Sequence, residues 1–345
     1  MSSIIINRTK SLSPLTFKEI EAEIILEDGK VFLRKQDEKG NIYKRLLEKD
    51  YEFYKLMTSG QTKTQVPCVI SALYISSRCN LNCSFCFEGK DGISEPSAEE
   101  IKALAKGCKS GFCAIFGREP TCREDLFEII KILRKHTKRV CLLTNGIKLS
   151  DFEYTLKLKK SGLKYIFFSF NGLSDNVYRK LDGSPVLNLK LQALKNIEKN
   201  GIHTILSATI ARGINDDQIK GLLEYAFRHR SFISELRIRT TVPTGRHLDI
   251  EPYCMSELLD LVTTSLEIEK EDVFKENIFL QEFFSTFKAF LPLAVRQFWS
   301  SRLCTLLFHV KQDGKLISSG QPINLERIKK SKLRIFWLAF YFMKI

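Results

Sequence analysis

The sequence predicts an α/β protein: six strand–helix units forming a parallel sheet, a small β-rich module before them and a C-terminal extension after them. Two observations carry the fold class. From Val69 to Thr240, short β-branched and aromatic runs alternate with longer stretches of helical periodicity, the pattern of parallel strands joined by helical crossovers. Before them, Glu23 to Lys35 reads as two strands joined at Asp28-Gly29, a dipeptide suited to a two-residue hairpin turn. The predicted boundaries are 1–66 for the module, 67–250 for the repeating units and 251–345 for the extension.

In order, Asp50–Met57 reads as a short helix and Gln61–Pro67 as a polar linker. Val69–Ile75 is the first strand of the repeat. Ser97 and Glu100 make a capping box that opens a helix running to about Lys109. Phe112–Phe116 is the second strand, and Asp125–His136 its helix, with Leu126, Ile129, Ile130 and Leu133 on one face. Val140–Leu143, Tyr165–Phe170, His203–Ile210 and Glu235–Thr240 are the remaining strands. Helical patterns follow at Ser150–Ser161, Asn188–Asn200 (stopped by Gly201) and Asp216–His229. Six units fall short of the eight that close a (β/α)8 barrel, so a three-quarter barrel fits the count. A doubly wound sheet would explain the alternation equally well. Beyond the repeat, Glu257–Glu282 reads as helix, and Thr305–Val310 as a strand before an Asp313-Gly314 turn.

Hydrophobic residues make up 44% of the 345 residues and charged residues 27%, the proportions of a globular protein with a full core. The opening MSSIIINRTK is too short in its apolar run for a signal-peptide core. Ten cysteines without such a signal point to a reducing, cytoplasmic setting with thiols free or metal-bound. The net charge of +14 is compatible with nucleic acid, an anionic membrane surface or anionic substrates, but much of it is scattered as lysine on helix faces and reads equally well as a solvated surface; no nucleic-acid partner is predicted.

The first strand of the repeat ends in Arg78-Cys79-Asn80-Leu81-Asn82-Cys83-Ser84-Phe85-Cys86-Phe87-Glu88. Cys79, Cys83 and Cys86 stand in a C-x3-C-x2-C spacing, and closely spaced soft thiolates are ligands for iron–sulfur clusters or zinc. Three thiolates leave a cubane one open iron, whereas structural zinc wants a fourth protein ligand, and none is offered nearby. A zinc knuckle with a distant ligand is the competing reading.

This loop after an apolar strand resembles the signature of the radical S-adenosylmethionine (radical SAM) superfamily. The resemblance implies a partial (β/α)6 TIM-like barrel with chemistry at the C-terminal strand ends. It implies two cofactors, a [4Fe–4S] cluster held by Cys79, Cys83 and Cys86, and S-adenosylmethionine on its open iron. One-electron cleavage then yields methionine and a 5′-deoxyadenosyl radical that abstracts hydrogen from substrate. Gly117-Arg118-Glu119-Pro120 resembles the family's Gly-Gly-Glu-Pro, with Glu119 expected opposite the cofactor's ammonium. Arg118 replaces a glycine and adds a cation near a cationic ligand; it is expected to weaken cofactor binding, so that Arg118→Gly tightens it. Thr144-Asn145-Gly146 and Ser169-Phe170-Asn171-Gly172 match the third- and fourth-strand motifs, the latter with Asn for Asp. The cofactor-binding set implied is Phe85, Gly117, Glu119, Thr144, Asn145, Ser169 and Asn171. Arg212–Asp216 matches a loop after the fifth strand.

Residues 9–54 and Gly245-Arg246 resemble the subgroup of tetraether lipid synthase and dihydropterin dimethyltransferase. That subgroup's N-terminal module carries Cys-Pro-x-Cys and Cys-x-Glu-His-Gly; here Ser13-Pro14-Leu15-Thr16 and Gln36-Asp37-Glu38-Lys39-Gly40 replace them, and the metal ligands are lost. Cys254 and Cys304 are too few for an auxiliary cluster, so about four irons per chain are expected. The resemblance implies an external one-electron donor of ferredoxin or flavodoxin type, and a small-molecule or lipid carbon substrate that is methylated or joined. A peptide-modifying enzyme and a catalytically impaired paralogue are the rivals. The basic cluster from Arg327 before the aromatic end is compatible with peripheral contact to an anionic membrane, with a helix packed on the barrel, or with an aberrant end of a truncated reading frame.

Overall fold

The computed structural model describes residues 3–58, 70–88, 94–108, 111–242, 250–275, 278–279, 308–310 and 316–318. The linker, Gly245-Arg246, Cys304, the Asp313-Gly314 turn and the tail from Arg327 lie outside them. The chain divides into two compact units, Pro67–Tyr253 and Met1–Val66 with Cys254–Ile345.

The second of these units begins with four antiparallel strands in the order β1-β2-β3-β4: β1 (Ile4–Leu12), β2 (Glu19–Glu27), β3 (Lys30–Gln36) and β4 (Ile42–Glu48). Asp28 and Gly29 both have positive φ, 49° and 74°, the requirement of the hairpin turn expected there. The predicted pair is therefore the middle of a larger sheet. The outer strands escape the pattern because β1 buries none of its side chains fully. Where a metal knuckle was expected to be lost, a carboxylate stands in its place. Ser13 Oγ and Thr16 Oγ1 donate to the two oxygens of Glu38 at 2.7 and 2.6 Å. Ser13 Oγ also accepts from the amides of Leu15 and Thr16 at 3.2 and 3.3 Å. The neighbouring Asp37 accepts from Lys39, Asn41 and Tyr43. Helix α1 (Tyr51–Thr58) follows.

The Pro67–Tyr253 unit holds six parallel strands: β5 (Ile70–Ser76), β6 (Phe112–Gly117), β7 (Arg139–Thr144), β8 (Tyr165–Ser169), β9 (His203–Ile210) and β10 (Ile233–Thr240). Their spatial order is their sequence order, β10-β9-β8-β7-β6-β5. A doubly wound sheet reverses its strand order at a switch point; this one never does. Right-handed crossovers without reversal place every helix on one face, which is the winding of a partial barrel. Helices α2 (Ala98–Lys106), α3 (Leu126–His136), α4 (Phe152–Lys160), α5 (Asp175–Leu181), α6 (Leu187–Lys199) and α7 (Ile219–Arg228) connect them. The capping box at Ser97 and Glu100 is present, and α3 fully buries Leu126, Ile129, Ile130 and Leu133. On β7 and β8, Val140, Leu142, Ile166 and Phe168 are wholly buried, whereas Leu143, Phe167 and Ser169 on alternate positions stay partly open.

The expected Glu257–Glu282 helix is shorter. Helix α8 (Met255–Leu266) stops where Glu267 adopts the left-handed conformation, and helical backbone resumes over 270–275. Its first turn meets Glu48, whose carboxylate accepts from the amide and hydroxyl of Ser256. Phe53, Leu259 and Val273 pack as one apolar cluster of this unit. The short strands β11 (Phe308–Val310) and β12 (Leu316–Ser318) pair antiparallel.

Candidate functional site

The three-cysteine loop leaves the C-terminal end of β5 and is pinned along its length. Arg118 and Glu119 amides donate to the carbonyls of Ser76 and Arg78 at 2.9 and 3.0 Å, so the β6 exit runs beside the start of the loop. Gly117 makes that approach possible, because a Cβ there would stand 2.4 Å from Ser76 O and its φ is 148°. Glu95 Oε1 accepts from Ser76 Oγ and Ser77 N at 3.0 Å each, and Arg78 pairs with the same carboxylate. The buried Arg123 donates to Ile75 O and Pro96 O at 2.8 Å each. Farther along, Ser84 N and Oγ donate to the last carbonyls of α5, Leu181 O and Lys180 O, at 2.8 and 2.9 Å. Phe85 packs on Val177, Leu181 and Ala211.

Cys79, Cys83 and Cys86 are free thiols on this frame. Burial pushes the Cys83 thiol up, with the Asp182 charge adding and Lys190 opposing. Burial also raises Cys79, and Glu119 and the nearby thiols of Cys122 and Cys86 add to it. The three thiols are thus electrostatic neighbours. Among the described residues no three His, Cys, Asp or Glu side chains close on a single metal ion. A cubane sets its thiolate ligands at the corners of a cluster rather than around one ion, so three soft donors without a fourth fit a [4Fe–4S] group better than zinc.

The strand exits facing the loop are built on a buried carboxylate. Glu119 is fully buried. Its Oε1 accepts from Thr121 N, Thr121 Oγ1 and Thr144 Oγ1 at 3.1, 2.6 and 2.7 Å, and its Oε2 from Asn145 N at 2.6 Å. Asn145 Nδ2 donates to Asn80 Oδ1 at 2.8 Å and lies 3.9 Å from Cys79 Sγ. Gly146, at φ 83°, turns the chain where a Cβ would stand 2.1 Å from the Phe168 ring. Asn171 is also fully buried; its amide donates to Asp182 Oδ1 at 3.1 Å and accepts from Thr209 N at 3.0 Å.

The residues expected at the cofactor therefore separate. Phe85, Gly117, Asn145 and Ser169 are partly open, on the loop or beside it at the strand exits. Glu119, Thr144 and Asn171 stand behind that surface with their polar atoms engaged by the chain itself. For these three a direct contact with the cofactor would have to share or displace hydrogen bonds the chain already makes. Arg118 has a neighbour that its motif does not announce. Its Nε lies 3.4 Å from Glu88 Oε2, and Tyr74 OH donates to that oxygen at 2.9 Å. Burial and this carboxylate push the Tyr74 phenol up to about 12. Arg118 therefore brings its own counter-charge, two residues past Cys86.

Lys190, in α6, was not anticipated. It is wholly buried, and its Nζ donates to Asn145 O and Ser169 O at 3.0 and 2.9 Å, with Asp182 Oδ2 at 3.3 Å. One ammonium thus ties together two strand exits and the end of α5. Its place on the Ala193, Leu194 and Ile197 stripe was the available signal.

Residues 73–226 match the Radical SAM superfamily. The 7,8-dihydro-6-hydroxymethylpterin dimethyltransferase of Methanocaldococcus jannaschii is 29% identical over 92% of this chain and 71% of its own length. The probable GTP 3′,8-cyclase of Pyrococcus abyssi is 32% identical over 48% of this chain. This alignment spans 55% of the cyclase, about half its length. Among solved structures, Streptococcus suis SuiB bound to S-adenosylmethionine aligns with a TM-score of 0.49 and 19% identity, over 58% of this chain and 48% of that one. With its three-thiol loop at the head of a six-stranded parallel sheet, the chain carries a radical SAM domain over residues 73–226, the domain of iron–sulfur enzymes that use a [4Fe–4S] cluster and S-adenosylmethionine.

Proposed function

We propose that this chain abstracts hydrogen from a carbon of a small-molecule or lipid substrate, leading to methylation or carbon–carbon bond formation. The observation that carries the reading is the three-thiol loop, anchored at both ends and faced by the Asn145 and Ser169 exits. When bound, the cluster and S-adenosylmethionine supply hydrogen-atom abstraction on one-electron reduction. Cys79, Cys83 and Cys86 hold the cluster. Gly117 offers backbone at close range, and Asn145 and Ser169 present polar groups to the same opening. Glu119, Thr144, Asn171 and Lys190 hold those groups in position. Phe85 fixes the loop against α5 and keeps water from that side of it. Similarity to the pterin dimethyltransferase over most of both chains supports a pterin or lipid carbon over a peptide. The paired Arg118 removes one argument for an impaired paralogue.

The reductant is an external one-electron donor of ferredoxin or flavodoxin type. The reading includes a cytoplasmic location with membrane contact through the tail. Anaerobic reconstitution followed by dithionite and S-adenosylmethionine tests it. The protein is expected to carry about four irons and release 5′-deoxyadenosine. Changing Cys79, Cys83 and Cys86 together to Ala abolishes both. Iron retained in that variant, or no 5′-deoxyadenosine from loaded wild type, overturns the reading.

A further inference from the structure

The partly open face of the parallel sheet, which carries Phe167, also carries a pair of cations that the cluster loop does not use. Arg237 and Arg239 lie two residues apart on β10, so both project from the same face. Both guanidiniums sit over one ring, Phe167 of β8, with Cζ 5.2 and 4.8 Å from its centroid. Arg239 Nη2 donates to Ser207 Oγ at 2.8 Å. Arg237 Nε donates to Glu235 Oε1 at 2.6 Å. Among the described residues, Glu235 pairs with Arg237 and no carboxylate pairs with Arg239.

That arrangement is electrostatically incomplete. Burial and the neighbouring Arg237 both push the Arg239 guanidinium down from its usual range. Arginine nevertheless stays charged in proteins, so Arg239, exposed near the end of the strand, remains a cation beside a like charge. Stacking on Phe167 holds the planes in place but offsets only part of that cost. An oxyanion would complete the site, since planar guanidinium forks match carboxylate and phosphate oxygens two at a time.

The position also suits a substrate. Ser169 is in register with Ser207, and Ser207 with Arg237. The arginines therefore stand two strands from Ser169, about 10 Å across the sheet at the usual strand spacing. That is far enough to hold one end of a substrate while its reacting carbon lies nearer the strand exits.

We propose that Arg237 and Arg239, with Ser207, form an anion-binding subsite that holds a phosphate or carboxylate group of the substrate. It rests on the function proposed above, whose substrate it narrows to an anionic one. Calorimetric titration of the anaerobically reconstituted holoenzyme tests it, with inorganic phosphate, acetate and S-adenosylmethionine as separate probes. Wild type is expected to bind phosphate or acetate, and the preferred probe tells which group the substrate carries. Arg239→Gln should weaken that anion at least tenfold and leave S-adenosylmethionine within twofold. Arg239→Lys, which keeps the charge but not the fork, should fall between. Phosphate or acetate should also protect wild-type Arg239 from phenylglyoxal, read by mass spectrometry, which needs no variant to fold. No anion binding and no protection in wild type overturns the proposal, as does unchanged anion binding in Arg239→Gln. A tenfold loss of S-adenosylmethionine in that variant also overturns it, assigning the pair to the cofactor's own carboxylate. Iron content and 5′-deoxyadenosine release are read on the same samples, so failure of the function and failure of the subsite are told apart.

Discussion

Replacing Glu119 separates a supporting role from a contacting one. Its carboxylate accepts four hydrogen bonds, three on Oε1 and one on Oε2, and is fully buried. Two of the donors are the backbone amides of Thr121 and Asn145, which cannot turn away; the two threonine hydroxyls can. A buried donor left unsatisfied costs about 1–3 kcal/mol. Glu119→Ala orphans both amides, so a loss of about 3–4 kcal/mol is expected. Glu119→Gln can keep its oxygen toward Thr121 and Thr144, but its amino group then meets the Asn145 N–H, now 2.6 Å from Oε2. One amide is orphaned and two donors oppose each other, for about 2 kcal/mol. Urea unfolding in the Cys79, Cys83 and Cys86→Ala background measures this without a metal complicating the transition. If Glu119→Gln matches its parent within about 0.5 kcal/mol, and in the native-cysteine protein binds S-adenosylmethionine at least tenfold more weakly, the reasoning fails and the carboxylate is the ammonium's partner after all.

Gly146→Ala should cost several kcal/mol by the same assay, because its Cβ would stand 2.1 Å from the Phe168 ring at φ 83°; a cost under about 1 kcal/mol would mean the turn relaxes freely. Glu88→Gln leaves Arg118 without its carboxylate, so S-adenosylmethionine affinity should fall about tenfold, while Arg118→Gly in the Glu88→Gln background should restore it. Equal affinities across wild type and these two variants would show that the pair does not act on the cofactor. In the N-terminal sheet, the Thr16 and Ser13 hydroxyls hold the Glu38 carboxyl below its ordinary 4.5. Burial raises Asp37, but Asn41, Tyr43 and Lys39 together outweigh it and leave the carboxyl below 3.8. A lowered folded value stabilises above the unfolded one and is lost as pH falls, so the sheet should loosen below about pH 4. Hydrogen exchange of the Leu15 and Thr16 amides reads this, and equal protection at pH 3 and pH 6 would refute it.

The parallel sheet was legible because its strands are buried on at least one face, and burial imposes a periodic pattern. The choice between a partial barrel and a doubly wound sheet was not, since it depends on which strands become neighbours and no local residue encodes that. At the N-terminal edge the difficulty was different. Strand β1 leaves both faces largely open, so Ile4, Ile5 and Leu12 alternate with nothing that burial would enforce. Helix α5 has seven residues, too few for periodicity to register, yet its last carbonyls fix the cysteine loop.

The site was legible where identity alone carries the chemistry and obscure where geometry does. Three cysteines at their spacing name a soft-ligand loop without any fold. Glu119, Thr144 and Asn171 look like contacting residues in sequence because they neighbour the exits that face the loop. Their burial adds a role that sequence does not show: a motif position can be essential for holding its neighbours. Lys190 makes the converse case. A lysine among asparagine, leucine and glutamine reads as a solvated helix face, yet this one joins the backbone of Asn145 to that of Ser169. Asp182 compensates the charge, so the helix can bury an ammonium on its apolar stripe. What ties the two exits together is thus a charged pair, Asp182 and Lys190, about 13 and 21 residues beyond Ser169 and in neither motif; the network, and not the motif residues singly, makes a surface that a cofactor can meet.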